Sequence, residues 1–388
     1  MQTKLKLAFS LWLIFVVLNF LNCSGSDDSD QIEELRLVEI IIDSSNGDRL
    51  DLSGTASTSL SLSGLDQYAE EYIINGTISW TSNNFNASVS QTGLVNALEV
   101  GVSIIQVEAE GVTASFTISI WDSSAPRTEI FVSEVENLND PPYKILRYFA
   151  DGSFSEVFTN QNLAWPQDIV ILEDQEVVLI SNLNTGRITK YNLNTGDYIE
   201  NFATGIGQPT RMKIGADNLL YVLQWAGDGL VRRYNLDGSF VDNFTSVAVP
   251  QSIGMDWDAD GNLYVSSFQN ANVRKFDSQG NDLGVFANAN MVGPTNIWFD
   301  AEGNLLVNDW NAGRVARFNP NGAFIDIIIN GLSQPEGVDF LSNGHFLIGN
   351  GGPGEVKEFM PDGTFVKNII AAGGDLKQPN AVIVRNVN

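Results

Sequence analysis

A repeat of just over forty residues runs through the C-terminal two-thirds of the chain and constrains its fold more than any other feature. Each copy has a proline before a short apolar run, an aromatic residue in a later run, and a turn glycine soon after. The prolines are Pro166, Pro209, Pro250, Pro294, Pro335 and Pro379. The aromatic residues are Tyr148, Tyr191, Tyr234, Phe276, Phe318 and Phe359, and the glycines are Gly152, Gly196, Gly238, Gly280, Gly322 and Gly363. Because a period of roughly 20 to 50 residues is typical of repeat architectures, residues 127–388 should form six similar units.

Each unit contains four short β runs, as in residues 253–257, 263–266, 273–276 and 283–286. Asp-Gly and Asn-Gly pairs between the runs favour tight hairpins, since glycine adopts positive φ angles without strain. The region opens at 129–135 with what corresponds to a second strand, so the last run, 381–384, should complete that unit and close a ring without open edges. The sequence therefore predicts an all-β fold, a six-bladed β-propeller.

Two of the units carry a recognisable motif. The segments 250–265 and 294–307 each contain an apolar run, an acidic turn with Gly-Asn, and a second apolar run. They resemble NHL repeats, and the resemblance spans the whole of residues 127–388. It departs from that family where an Asp commonly follows the second strand, because only Asp309 matches there. A more distant similarity is to gluconolactonase-like propellers, which hydrolyse lactones with a divalent cation held near the axis.

Residues 33–122 form a second β region with a different pattern. Short runs at 37–42, 59–62, 72–80, 87–90, 104–107 and 114–120 are separated by Gly and Asn, which is typical of a β-sandwich. The segments 78–84, 87–90, 93–97 and 101–107 resemble the bacterial Ig-like family, and Trp80 would lie in the core between two sheets. Domains of that family often serve as spacers, and we expect this role here.

The N-terminus has the pattern of an export signal. Lys4 and Lys6 precede an apolar stretch, residues 7–21, that is short for a transmembrane helix. Shortly after it comes Cys23, the only cysteine of the chain, followed by a small and acidic segment. This resembles a bacterial lipoprotein signal, in which residues 1–22 are cleaved, Cys23 is lipidated and residues 23–32 form a flexible tether. The resemblance implies a protein that a lipid anchors to the bacterial outer membrane, facing outward.

The formal charge of −26 argues against several classes of partner and activity. It repels nucleic acid phosphates and anionic lipid headgroups, so we expect no nucleic acid partner and membrane contact through the lipid alone. The chain has a single histidine, His345, which rules out a zinc site built from several histidines and disfavours a Ser-His-Asp triad. We therefore expect no catalytic residues.

Candidate site residues come from two positions that recur in every unit. In a four-stranded blade, the start of the innermost strand and the end of the second strand lie on the same face. Two residues after each proline come Asp168, Arg211, Ser252, Asn296, Gly337 and Ala381. The second strands end at Glu134, Asn182, Gln224, Ser267, Asp309 and Asn350. The next residue is aromatic in three consecutive units, where it is Trp225, Phe268 and Trp310.

Aromatic rings beside amides and carboxylates suit a sugar, because a ring stacks on C–H faces while polar groups bind the hydroxyls. We expect a glycan or protein ligand at these rings, which could alternatively pack between blades as core. The polar residues expected to bind it are Asn182, Gln224, Asp309, Asn350 and Arg211. Arg211 would either hold an anionic group of the ligand or neutralise Asp168.

Two further functions remain open at this point. Asp168, Asn296 and Glu134 could supply oxygen ligands to a Ca²⁺ ion, which would favour a lactone hydrolase of the gluconolactonase-like type. The leading hypothesis, a non-catalytic recognition protein, needs no cofactor. A scaffold or assembly role in the cell envelope is the third possibility.

Overall fold

The computed structural model describes residues 34–135 and 141–387, and nearly all of their regular structure is β-strand. The predicted signal segment, the predicted lipidation site Cys23 and the predicted tether lie outside the described residues. In the described part, helical structure consists of two 3-10 turns, Glu173–Gln175 and Leu183–Thr185. Neither these turns nor any other described segment is a helix long and apolar enough to cross a membrane.

Residues 37–121 form two sheets around one hydrophobic core. The strands are β1 (Leu37–Ser44), β2 (Arg49–Asp51), β3 (Ser57–Asp66), β4 (Glu71–Tyr72), β5 (Ile78–Ser82), β6 (Ala87–Val89), β7 (Leu94–Ala97), β8 (Gly101–Ala109) and β9 (Val112–Trp121). One sheet has the order β1-β3-β7-β6 with β4 beside β3, and the other has the order β2-β9-β8-β5. Alternate residues of β8 are buried, as a strand with one face on a core requires. Trp80 lies in that core, as predicted.

Residues 127–387, apart from 136–140, form six four-stranded antiparallel sheets. Their strands are β10 (Arg127–Glu134), β11 (Lys144–Phe149) and β12 (Phe154–Thr159); β13 (Pro166–Leu172), β14 (Val177–Asn182), β15 (Arg187–Asn192) and β16 (Tyr198–Ala203); β17 (Pro209–Ile214), β18 (Leu220–Gln224), β19 (Arg232–Tyr234) and β20 (Phe240–Asn243). The remaining strands are β21 (Ser252–Trp257), β22 (Leu263–Ser267), β23 (Asn272–Phe276) and β24 (Asp282–Ala287); β25 (Pro294–Phe299), β26 (Leu305–Asp309), β27 (Arg314–Phe318) and β28 (Phe324–Asn330); β29 (Pro335–Phe340), β30 (Phe346–Asn350), β31 (Glu355–Phe359), β32 (Phe365–Ile370) and β33 (Pro379–Val387).

The sheets are arranged in a closed ring, as in a β-propeller. One edge strand of each sheet contacts the corresponding edge strand of the next sheet, in the order β13, β17, β21, β25, β29 and β33, and β33 contacts β13. The C-terminal β33 pairs antiparallel with β10, so its sheet has the order β12-β11-β10-β33. The predicted pairing of the chain ends is therefore present. The six strands β13, β17, β21, β25, β29 and β33 are called the innermost strands below.

The turn glycines are conserved in position through the six units because each one touches the neighbouring sheet. Gly196 has a φ of 72°, and a Cβ atom there would overlap the carbonyl oxygen of Phe158 in the preceding sheet. The other five turn glycines, Gly152, Gly238, Gly280, Gly322 and Gly363, also have positive φ and face a backbone carbonyl in the same way. A side chain at this position would push adjacent sheets apart.

Trp121, the last residue of β9, joins the small β region to the ring of sheets. It is 1% exposed, and its ring lies 4.4 Å from that of Phe149 in β11. The guanidinium groups of Arg49 and Arg147 stand over it at 4.8 and 4.9 Å. Because Arg49 belongs to β2 and Arg147 to β11, cations from both regions hold this one ring.

Candidate functional site

A cavity of about 550 Å³ lies where the innermost strands begin. This volume is within the range of small-ligand sites. Its described lining consists of Trp165, Gln167, Leu183, Asn184, Gln208, Trp225, Ile253, Phe268, Thr295, Trp310, Asn311, Glu336, Gln378 and Asn380. The set includes the three predicted aromatic residues, all of them partly exposed rather than buried in the core.

The three aromatic rings form a continuous wall. The ring centroids of Trp225 and Phe268 are 5.4 Å apart, and those of Phe268 and Trp310 are 6.3 Å apart. Each of these residues donates its backbone N–H to the carbonyl just before an innermost strand, that of Gln208, Gln251 or Gly293. Because the same hydrogen bond recurs in three consecutive sheets, the three rings lie at the same height above the starts of the innermost strands.

The opposite side of the cavity is polar. Gln167, Glu336 and Asn380 are the second residues of β13, β29 and β33, and they are 2%, 6% and 2% exposed. The Asn380 amide satisfies its neighbours when its oxygen accepts from the Trp165 indole N–H at 3.1 Å and its nitrogen donates to Glu336 at 3.3 Å. In the ring, β29, β33 and β13 are consecutive, as are the three sheets that carry the aromatic wall. The cavity therefore has an aromatic half and a polar half that face each other.

Glu336 is the ionisable group of this polar half. Its pKa is raised to about 7, chiefly because the group is buried; Arg211 opposes this rise, and the nearby carboxylate of Asp168 adds to it. Burial also raises the pKa of Asp168. Two carboxyl groups thus compete for the charge of one guanidinium.

Arg211 lies below the floor of the cavity and joins four other innermost strands. It donates to Glu336 Oε1 at 3.0 Å, to the Asn380 carbonyl at 2.9 Å and to Asn296 Oδ1 at 2.9 Å. It also donates to the Gln167 carbonyl and lies 3.6 Å from Asp168. Every one of these partners belongs to the protein itself. Of the two roles considered for Arg211, this geometry favours neutralising Asp168.

Two residues at the edge of the cavity have strained backbones. Trp165 and Gln208 precede β13 and β17 and have φ angles of 55° and 59°. Bulky residues rarely adopt this left-handed conformation, which costs on the order of 1 to 3 kcal/mol. The loops hold both side chains at the cavity, a position that the sequence repeat does not predict for Gln208.

The alignment of the units on their prolines is wrong by two residues in one sheet. Ser252 pairs with Ser267 in the way that Pro166 pairs with Asn182 and Pro335 with Asn350. Ser252, not Pro250, therefore occupies the proline position, and Gly254 is the counterpart of Asp168.

A second correction concerns which residue of the innermost strand faces the cavity. The side chains that line it stand one residue after the strand start, not two. The irregular register between Pro166 and Asp168, repeated in other sheets, changes the face to which side chains point. Asp168 and Asn296 instead line a second cavity, of about 320 Å³, that extends toward the far ends of the innermost strands.

The predicted polar ligands at the ends of the second strands do not line the aromatic cavity. Asn182, Gln224, Asp309 and Asn350 are at most 2% exposed. Their side-chain oxygens accept backbone N–H groups of the loop before the innermost strand, from Ala164, Gly207, Val292 and Ser333 respectively. Glu134 accepts in the same way from Lys377. In this structure these side chains hold loops rather than present free polar groups.

The three residues considered for Ca²⁺ do not form a suitable ligand set. Asp168 and Asn296 both face the Arg211 guanidinium, and Glu134 is bonded to the loop before β33. Across residues 34–135 and 141–387, no group of three or more His, Cys, Asp or Glu side chains is arranged to hold a metal ion. A cation beside Arg211 would meet a like charge.

Comparisons with known proteins identify the fold of this chain but no family to which it belongs. No protein-family model matches the chain, and no curated protein matches it in sequence. A chain in the crystal structure of a nidogen/laminin complex has a TM-score of 0.54 and 15% identity, covering 66% of this chain and 98% of that one. A protein of unknown function from Bacteroides caccae has a TM-score of 0.54 and 16% identity with the same coverage. At such identities the likeness shows the β-propeller fold alone.

Proposed function

We propose that this protein is a non-catalytic recognition protein that binds a glycan in the cavity lined by Trp225, Phe268 and Trp310. In this proposal the six sheets are the blades of one six-bladed, NHL-type propeller, and the small sandwich is an Ig-like spacer. The chain would be exported and held at the outer membrane by a lipid on Cys23, with the propeller facing outward.

The observation that carries the proposal is the two-sided construction of the cavity. A sugar ring has apolar C–H faces and polar edges, so it needs an aromatic surface on one side and hydrogen-bonding groups on the other. The aromatic wall and the amides of Gln167, Gln208 and Asn311 supply both within one cavity. Partly exposed Trp side chains in a concave site are also the residues that most often dominate binding energy.

The alternative of a lactone hydrolase lacks support in the residues that would perform it. The acids proposed as cation ligands are committed to Arg211 or to backbone N–H groups. His345, which could act as a base, precedes β30 and bonds to Glu358 Oε1 of β31 at 2.7 Å, and neither residue lines the cavity. We therefore keep recognition as the function.

The test is binding of glycans to the soluble chain, residues 24–388, first on a glycan array and then by isothermal titration calorimetry. Trp225→Ala and Trp310→Ala should each weaken a confirmed sugar by about tenfold or more. Phe340→Ala is the matched control, because this 44% exposed ring lines the second cavity and should leave affinity unchanged. The proposal would be overturned if all three variants bound the sugar as tightly as the unsubstituted protein does. It would also be overturned if the protein bound other proteins but no glycan.

A further inference from the structure

We infer that the glycan bound in this cavity carries a protonated amine, so that the ligand is an amino sugar rather than a neutral or acidic one. This inference rests on the proposed function and deepens it. It depends on four features of the cavity: its ionisable groups, its free hydrogen-bonding atoms, the charges behind its floor, and its aromatic wall.

The lining of the cavity contains one kind of charge. Among its described residues Glu336 is the only ionisable side chain, and none is Lys, Arg or His. An acidic sugar would bring its carboxylate toward that carboxyl group with no cation at the surface to receive it. A cationic group would meet no like charge in the lining.

Of the polar residues in the floor, Gln167 carries a buried acceptor without a hydrogen-bond partner among the described residues. Gln167 is 2% exposed, and its side-chain oxygen is buried with no hydrogen-bond partner in the described structure. An acceptor buried without a partner costs free energy comparable to a lost hydrogen bond. The ligand group that satisfies it must donate, which an ammonium does with three N–H bonds.

The charges behind the floor leave a surplus of negative charge. The groups that face Glu336 are Arg211 of β17 and Asp168 of β13. With both carboxyl groups ionised, one guanidinium stands against two negative charges. Burial is the main cause of the raised pKa of Glu336 and Asp168 adds to it, so a proton on Glu336 would relieve part of this surplus. A bound ammonium could take the place of that proton.

The aromatic wall stabilises the same kind of group. Trp and Phe rings attract a cation through the negative potential of their faces, and the attraction grows when water is excluded. Trp225, Phe268 and Trp310 lie in one continuous wall across from Glu336. A cation between the two halves would be attracted by both.

The experiment compares three disaccharides of the same linkage by calorimetry with the soluble chain: the glucosamine dimer, its N-acetylated form and cellobiose. At a pH where the amine is protonated, we expect the glucosamine dimer to bind about tenfold more tightly than the other two. Glu336→Gln should remove that difference. Trp225→Ala should weaken all three.

Proton release gives a second measurement that does not need a variant. Titrations near pH 7 in buffers of different ionisation enthalpy should show release of up to one proton from the protein when the amine binds, and none with cellobiose. Equal or tighter binding of cellobiose, or no release, would overturn the inference and leave the proposed function standing. If none of the sugars binds in a manner that Trp225→Ala weakens, the proposed function fails as well.

Discussion

Replacing Arg211 by methionine should strongly destabilise the ring of sheets, because this side chain joins five innermost strands, including its own. The substitution keeps a long apolar stem but removes the donors to Glu336, Asn296 and the carbonyl of Asn380. It also leaves the buried carboxyl groups of Asp168 and Glu336 without their cation. Removing one partner of a buried ion pair costs about 3 to 5 kcal/mol.

The assay is thermal unfolding followed by circular dichroism. In a domain of this size, 1 kcal/mol shifts Tm by about 2 to 4 °C, so Arg211→Met should lower Tm by about 10 °C. Lys213→Met is the control. Its side chain lies on the same strand, is 45% exposed and pairs with Asp256 at 2.9 Å. A surface pair of this kind contributes about 1 kcal/mol or less.

The dependence of this effect on pH separates lost charge from lost packing. Without Arg211, the pKa of each carboxyl group should rise further, because burial raises it and the opposing charge of the guanidinium is gone, so each group is more readily protonated at pH 5 and costlier to keep ionised at pH 8. The destabilisation should therefore be smaller at pH 5 than at pH 8, and Asp168→Asn with Glu336→Gln should recover much of it. A Tm loss under about 3 °C, or one that is equal at both pH values, would refute this account.

Three further predictions concern Glu336, Trp121 and Asn182. Burial raises the folded-state pKa of Glu336 from its ordinary 4.5 to about 7, so the folded state binds this proton more tightly. This group should thus lower the free energy of unfolding by up to ~3 kcal/mol as pH rises through that window; Glu336→Gln, followed by urea denaturation, should flatten that part of the profile. Trp121→Ala should uncouple the small sandwich from the propeller, giving two calorimetric transitions where the intact chain gives one. Asn182→Ala should cost about 1 to 3 kcal/mol by freeing the Ala164 N–H, yet change the affinity for a confirmed sugar less than threefold, because Asn182 holds a loop.

The pairing of the chain ends and the strand order of each sheet could be predicted from the sequence, because both follow from local patterns. The alternating runs and turn glycines define hairpins, and the unpaired run at 381–384 has one partner available, β10. The aromatic wall could be predicted for the same reason. Trp225, Phe268 and Trp310 stand directly after strands whose ends are easily recognised in the sequence.

The polar half of the cavity could not be predicted, because its side chains depend on a change of register that the sequence does not mark. A strand side chain changes face with every residue, so one irregular position moves Glu336 and Gln167 into the cavity and Asp168 out of it. The free oxygen of Gln167 and the strained loop at Trp165 likewise result from contacts between sheets that are far apart in sequence.

In the sheet that begins at Ser252, the proline does not mark the start of the innermost strand. A proline before a strand is favoured by its fixed φ, but it has no backbone N–H that would fix its register, so Pro250 can stand two residues before its counterparts. The last residue of the second strand is different. In each of these sheets its side chain bonds to the backbone just before the innermost strand, as Asn182 does to Ala164 and Ser267 does to Pro250. A residue fixed by such a bond cannot shift without leaving a buried polar group unpaired, so units aligned on that residue would have given the correct cavity positions.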